Sequence, residues 1–200
     1  LETARASARL AARVIGCTEQ EVLVASTGVI GQLLDVAPFE TGVPALHDKI
    51  CAQATDESLR LSGGHDAARA IMTTDTHPKE YAVSYEAGGS LAGSTVTVGG
   101  MCKGSGMIMP NMATMIAIIS TDAPVSAAAL HEVLLGVVKK TFNKVTVDSD
   151  TSTNDTCIAI ATGKAAADAA PIEPGTPEAA ELACAVNAVC QHLAREIAAD

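Results

Sequence analysis

Aromatic residues are nearly missing from this chain: two Tyr, two Phe and no Trp among 200 residues. Since 48% of the residues are hydrophobic, the core must be built from Ala, Val, Ile and Leu, small and β-branched side chains that suit tightly packed α/β layers. Basic charge is scarce too. Thirteen Lys and Arg against 23 Asp and Glu leave a net charge of −10, which argues against nucleic acid as a partner because phosphate contact needs clustered cations. No apolar run approaches the length of a membrane span, and no signal-peptide pattern opens the chain. A cytoplasmic protein with no membrane partner is expected. The six cysteines (17, 51, 102, 157, 184 and 190) include no Cys-x-x-Cys pair, and no histidine pair stands at zinc spacing. No metal is therefore expected, and the cysteines read as small buried hydrophobes in a reducing compartment.

What is present reads as alternating helices and strands. Residues 2–15 put Ala4, Ala8, Ala11 and Ile15 on one helical face, with Gly16 as C-cap. Glu21 to Ser26 reads as a buried strand ending at Thr27-Gly28, and 44–60 and 65–72 as helices. Tyr81 to Glu86 and Thr95 to Val98 read as two strands joined by the glycine-rich turn 88–93. A strand over 114–120, a helix over 126–141 and strands over 144–148 and 156–161 follow. A final helix, 178–198, carries Leu182, Val186, Val189, Cys190, Leu193 and Ile197 on one face. Strands outnumber crossover helices, so the expected class is α/β with mixed sheets layered between helices.

Several signatures fail on inspection. Residues 100–106 are glycine-rich and hold Lys103, yet have no phosphate-loop register. His131-Glu132 lacks the second histidine of a zinc-protease helix, since Leu135 stands there. Asp148 to Asp155 lacks the glycine and closing glutamate of a calcium loop and reads as a solvated or hydrogen-bonded acidic turn.

Four features carry chemistry. A chain cut between Ala113 and Thr114 gives Thr114 a free amine beside its own hydroxyl, a base for an otherwise weak nucleophile. A strand ending in Ser26-Thr27-Gly28 can aim a hydroxyl and a backbone N–H at one point, two donors for an oxyanion. Thr73-Thr74-Asp75-Thr76 gathers three hydroxyls and a carboxylate, in the pattern of a cap or turn. Lys103, flanked by Gly104, can present an ammonium to a substrate carboxylate.

These segments occur in order: Val22 to Gly31, Ala70 to Lys79, Lys103 to Met115 and Val147 to Asp155. Together they resemble the ornithine acetyltransferase (glutamate N-acetyltransferase) family of arginine biosynthesis, over essentially the whole chain. The resemblance implies an N-terminal-nucleophile-like, self-processing fold cut between Ala113 and Thr114, with 1–113 and 114–200 as α and β portions of one domain. It implies Thr114 as nucleophile, Thr27 and Gly28 as oxyanion hole, and Thr73, Lys103 and Thr114 as substrate contacts, with Thr74 in place of Thr73 if the register is one residue out. The implied reaction moves acetyl from N-acetylornithine to glutamate through an acetyl-threonine, some members also accepting acetyl-CoA, without metal or organic cofactor. The implied assembly is a heterotetramer of α and β pieces. Ser149 and Met109 depart from the usual glycine and alanine. The family continues past Asp200 with Gly-Glu-Gly-Ala-Thr-Lys and also begins before Leu1, so about half of a complete enzyme is expected here. An aminopeptidase or amidase on the same scaffold, and a catalytically silent fragment, are the alternative readings.

Overall fold

The computed structural model describes residues 1–29, 31–53, 55–106, 115–147, 152 and 154–200, with backbone only at 53 and 58–61. Ala113, Thr114, Met109 and Ser149 lie outside the described residues. The chain divides into two units, Leu1–Ala67 and Ala68–Asp200.

In the first unit, helix α1 (Glu2–Ile15) ends where Gly16 adopts φ 83°, its N–H returning to the Ala12 carbonyl. That left-handed turn suits glycine, which has no Cβ to clash. Ala8 and Ala12 are buried, whereas Ile15 is exposed. Helix α2 (Ala37–Gln53) begins seven residues before the expected 44. The signal overlooked is Asp35, whose carboxylate accepts from the Ala37 N–H at 3.0 Å and occupies one orphan donor of the first turn. Helix α3 (Glu57–Ala70) spans the boundary between the units. The strand expected over Glu21 to Ser26 is not formed: Glu19–Glu21 is a 3₁₀ turn and the residues after it carry no regular structure. Leu23 is 71% exposed. An apolar run expresses strand propensity, but a strand also needs a neighbour to pair its backbone groups. None of the described strands pairs with this one.

The second unit is built on a four-stranded mixed sheet in the order β1-β2-β3-β4. β1 (Lys79–Glu86) and β2 (Thr95–Lys103) pair antiparallel, as do β2 and β3 (Ile116–Thr121). β3 and β4 (Thr156–Ala161) run parallel, and α4 (Ala127–Val138) lies in the connection between them, as a parallel pair requires. α5 (Pro177–Ala199) packs on β1 and β2 and beside α4. The α/β class with a mixed sheet is therefore observed.

Leu182, Val186, Val189, Cys190, Leu193 and Ile197 of α5 are all buried, as their spacing predicts. Each large aliphatic side chain removed from water contributes about 1.5–3 kcal/mol. Pro177 occupies the first turn, and the Thr176 hydroxyl accepts from the Ala179 N–H at 3.2 Å. α4 is capped likewise by Ser126. Along α4, Val133 and Val137 reach the core, and Leu134 and Val138 pack against it.

β2 runs five residues past the expected Val98, taking Gly99, Gly100 and Lys103 into the sheet. Gly100 explains why: a Cβ there would stand 2.7 Å from Ile119 Cδ1, 2.9 Å from Val189 Cγ1 and 3.1 Å from Leu193 Cδ1. The glycine lets α5 sit tight on the strand rather than loosening a loop. Of the strand expected over 144–148, Lys144 lies in a 3₁₀ turn, Phe142–Lys144, 145–147 form no strand and 148 is outside the described residues; Val145 packs on the core without a ladder partner. Of the cysteines, Cys102 and Cys190 are buried, but Cys51 and Cys184 are exposed; all six are free thiols.

Candidate functional site

The end of β2 and the starts of β1, β3 and β4 converge with the turn after α3 and the C-terminus of α5. Strand register decides which lysine faces which way. Lys79 stands opposite Cys102, and residues opposite each other share a sheet face. The Cys102 thiol points to the Leu193 carbonyl of α5 at 3.8 Å. Lys79 therefore enters the α5 side, and Lys103, one residue after Cys102, projects from the other face.

On the α5 side Lys79 is fully buried and donates to Asp75 Oδ1 at 2.7 Å and to Asp200 Oδ2 at 2.5 Å. Asp75 also accepts from the Gly104 N–H at 2.7 Å and the Thr73 N–H at 3.1 Å. Burial alone would raise the Asp75 carboxyl, but these donors outweigh it and hold it below the ordinary carboxylate range. Asp200 is held down to about 2, chiefly by Lys79 and then by the Thr76 hydroxyl and N–H. Burial likewise opposes the charge on Lys79, yet its two carboxylates keep it above the ordinary lysine value. His77 Nε2 lies 3.1 Å from Glu196, which ties the same turn to α5 a second time. The cap-or-turn reading of Thr73 to Thr76 describes this knot well.

On the opposite face Lys103 is 2% exposed, and its ammonium makes no hydrogen bond to a described residue. Burial pushes it below the ordinary lysine value, against the pull of Asp75 and Asp155. Asp155 accepts the Met115 N–H at 2.8 Å. Burial raises the Asp155 carboxyl to about 6, opposed by that hydrogen bond and by Lys103. Thr156 N–H in turn donates to the Met115 carbonyl at 2.9 Å, clamping the head of β3 to the head of β4. A lysine side chain this buried, with no hydrogen bond from its ammonium to a described residue, is suited to an incoming carboxylate, because a charged pair in a poorly hydrated site interacts strongly.

Lys103 and Thr74 are brought to this corner, the Thr74 hydroxyl lying 2.7 Å from that of Ser105. Thr73 contributes its backbone N–H to Asp75, and both threonines are exposed. Thr27 and Gly28 lie in the first unit, Thr27 half-buried and Gly28 exposed with open space where a Cβ would be. Thr114 and Ala113 fall outside the described residues. Sequence reasoning overlooked Lys79, Asp155 and Asp200. Asp155 was visible only as the last member of an acidic run, whose pattern says nothing of an amide 40 positions away. Among the described residues no group of three or more His, Cys, Asp or Glu is placed to hold a metal ion, and no helix is long and apolar enough to cross a membrane.

The model of the ArgJ family matches residues 1–200. This chain belongs to the ArgJ family. The resemblance read from the four ordered motifs is thereby borne out. A Symbiobacterium thermophilum relative named arginine biosynthesis bifunctional protein ArgJ is 47% identical over 193 residues, covering 96% of this chain and 44% of the relative. A Synechocystis protein of the same name is 46% identical, covering 97% of this chain and 43% of its own. The chain thus spans about half the length of the curated relatives it matches. A solved Bacillus halodurans structure titled arginine biosynthesis bifunctional protein argJ is 35% identical, covering 40% of this chain and 37% of that one, with a TM-score of 0.37.

Proposed function

We propose that this chain is the nucleophile-bearing portion of a self-cleaving acetyltransferase of arginine biosynthesis, moving acetyl from N2-acetylornithine to glutamate. The observation that carries the reading is the buried Lys103 side chain at the head of β3, the strand that begins just after Thr114, whose ammonium makes no hydrogen bond to a described residue. Membership of the ArgJ family over all 200 residues supports it.

In the proposed maturation, Thr114 Oγ attacks the Ala113 carbonyl carbon. The Ala113–Thr114 C–N bond breaks, an ester forms, and the hydroxyl proton passes to the departing nitrogen. Water then hydrolyses the ester, leaving the Ala113 carboxylate and the Thr114 amine. In turnover that amine takes the proton of its own hydroxyl as the oxygen attacks the acetyl carbonyl of N2-acetylornithine. Thr27 and Gly28 receive the oxyanion, each such donor being worth about 3–4 kcal/mol. Ornithine leaves as the amine, carrying the proton, and the glutamate amine then attacks the acetyl-threonine and restores the hydroxyl. Lys103, with Thr73 or Thr74, binds the substrate carboxylate. The scheme asks for no metal or organic cofactor, and the cleaved α and β pieces stay together as a heterotetramer in the cytoplasm.

Intact-mass measurement on the complete protein tests the first half: two pieces meeting at Ala113/Thr114 are expected, and one uncut piece from Thr114→Ala. An uncut unmutated protein overturns self-processing and favours a silent scaffold. Incubation with N2-acetylornithine, with and without glutamate, tests the second half. N-acetylglutamate is the expected product, and acetate released independently of glutamate identifies an amidase instead. Replacing N2-acetylornithine by acetyl-CoA decides whether a second acetyl donor is used.

A further inference from the structure

We infer that Asp155 is a positioning residue for the nucleophile: its carboxylate fixes the backbone of Met115, the residue covalently attached to the Thr114 carbonyl. The inference rests on the proposed role of Thr114 and adds a residue to it.

Three observations converge. Asp155 Oδ1 accepts the Met115 N–H at 2.8 Å, and that N–H belongs to the peptide plane that also contains the Thr114 carbonyl and Cα. The bond holds the backbone of Met115 itself. The next link, Thr156 N–H to the Met115 carbonyl at 2.9 Å, begins the parallel β3–β4 ladder, which continues with Ile116 opposite Thr156. Asp155 immediately precedes Thr156, so its side chain extends that ladder one residue beyond the sheet.

Geometry also explains why an acid serves here. A carboxylate has no proton to lose to a competing acceptor and takes an amide N–H through a charge-assisted bond, the stronger kind. Its cost is burial, and the Lys103 ammonium on the same corner repays part of it. Asp75 acts on Lys103 as well, so Lys103 has a second carboxylate and Asp155 is not required merely as its counter-ion. What Asp155 alone supplies is the bond to Met115. A nucleophile misplaced by about an ångström loses much of its rate advantage, which is the loss this bond is placed to prevent.

The test compares Asp155→Ala and Asp155→Asn with the unmutated complete protein, following cleavage by intact mass and acetyl transfer by steady-state kinetics. Asp155→Ala is expected to slow cleavage and lower kcat by about 10–100-fold, the equivalent of one hydrogen bond to a charged group, with KM for N2-acetylornithine changed less than threefold, as for an interaction that positions rather than binds. Asp155→Asn keeps an oxygen acceptor and is expected to recover to within about fivefold of the unmutated protein. Should the alanine variant not fold, Asp155→Ser, one atom too short to reach the amide, takes its place with the same expectation. Cleavage and kcat at the unmutated level in a folded Ala or Ser variant, or an Asn variant no better than Ala, overturns the inference. An unmutated protein that neither cleaves nor transfers acetyl overturns the proposed function instead, so the two failures are distinguishable.

Discussion

Replacing Lys79 by Met tests the buried charge cluster directly. The lysine is sealed from water between two carboxylates, at 2.7 Å from Asp75 and 2.5 Å from Asp200. Met fills much of the same volume and removes the cation. Two buried carboxylates then lose their shared partner, and breaking a buried pair by deleting one member costs about 3–5 kcal/mol. The lower end applies here, because Asp75 keeps the Gly104 and Thr73 amides and Asp200 keeps Thr76. The sign with pH follows from the directions of the shifts. Both carboxyls are lowered from the ordinary 3.8, Asp200 to about 2, so their contribution is complete above that ordinary value and is lost as pH falls toward 2. Lys79 is raised above 10.5, so its contribution is complete below 10.5 and is lost as pH climbs through the raised value. Urea unfolding of Lys79→Met is therefore expected to show a loss of about 3 kcal/mol that is flat from pH 5 to 9 and shrinks below pH 4. Adding Asp75→Asn should make the loss smaller, because one orphaned charge is removed. A loss below about 1 kcal/mol at pH 7, or one of the same size at pH 3, refutes the reasoning.

Two further outcomes follow from packing and capping. Gly100→Ala pushes a methyl into Ile119, Val189 and Leu193 together and should destabilise the protein by about 1–3 kcal/mol in the same urea assay; a neutral effect refutes the close seating of α5 on β2. Thr176→Ala removes the hydroxyl that accepts from Ala179 and should lower stability by about 1 kcal/mol, with Thr176→Ser restoring it.

How much of this was legible beforehand depends on the range of the force concerned. The buried face of α5 is written in neighbouring residues, because a helix repeats every 3.6 positions and satisfies its own backbone. β3 and β4 announced themselves by short apolar runs, and β1 by its place before the glycine-rich turn. The order of the four motifs is likewise a property of the chain as a string, and it carried the family. The run Val22 to Ala25 had the same local composition as a strand, yet among the described residues nothing pairs with it. Residues 145–147 went the same way, since the core took Val145 without a ladder.

The site divides along the same line. Lys103 was evident as the one cation in a glycine-rich stretch, but its burial and the face it occupies depend on a register with β1 and β3 that residue spacing does not specify. Asp75, Lys79 and Asp200 form one unit although 121 positions separate the last two, and Asp155 reaches Met115 across 40. A carboxylate's neighbours in sequence say whether it is free to ionise in water. Only the folded chain brings the particular amides and ammonium that offset the cost of removing that water, because pairing at such separations is chosen by the sheet and α5, not by the residues on either side.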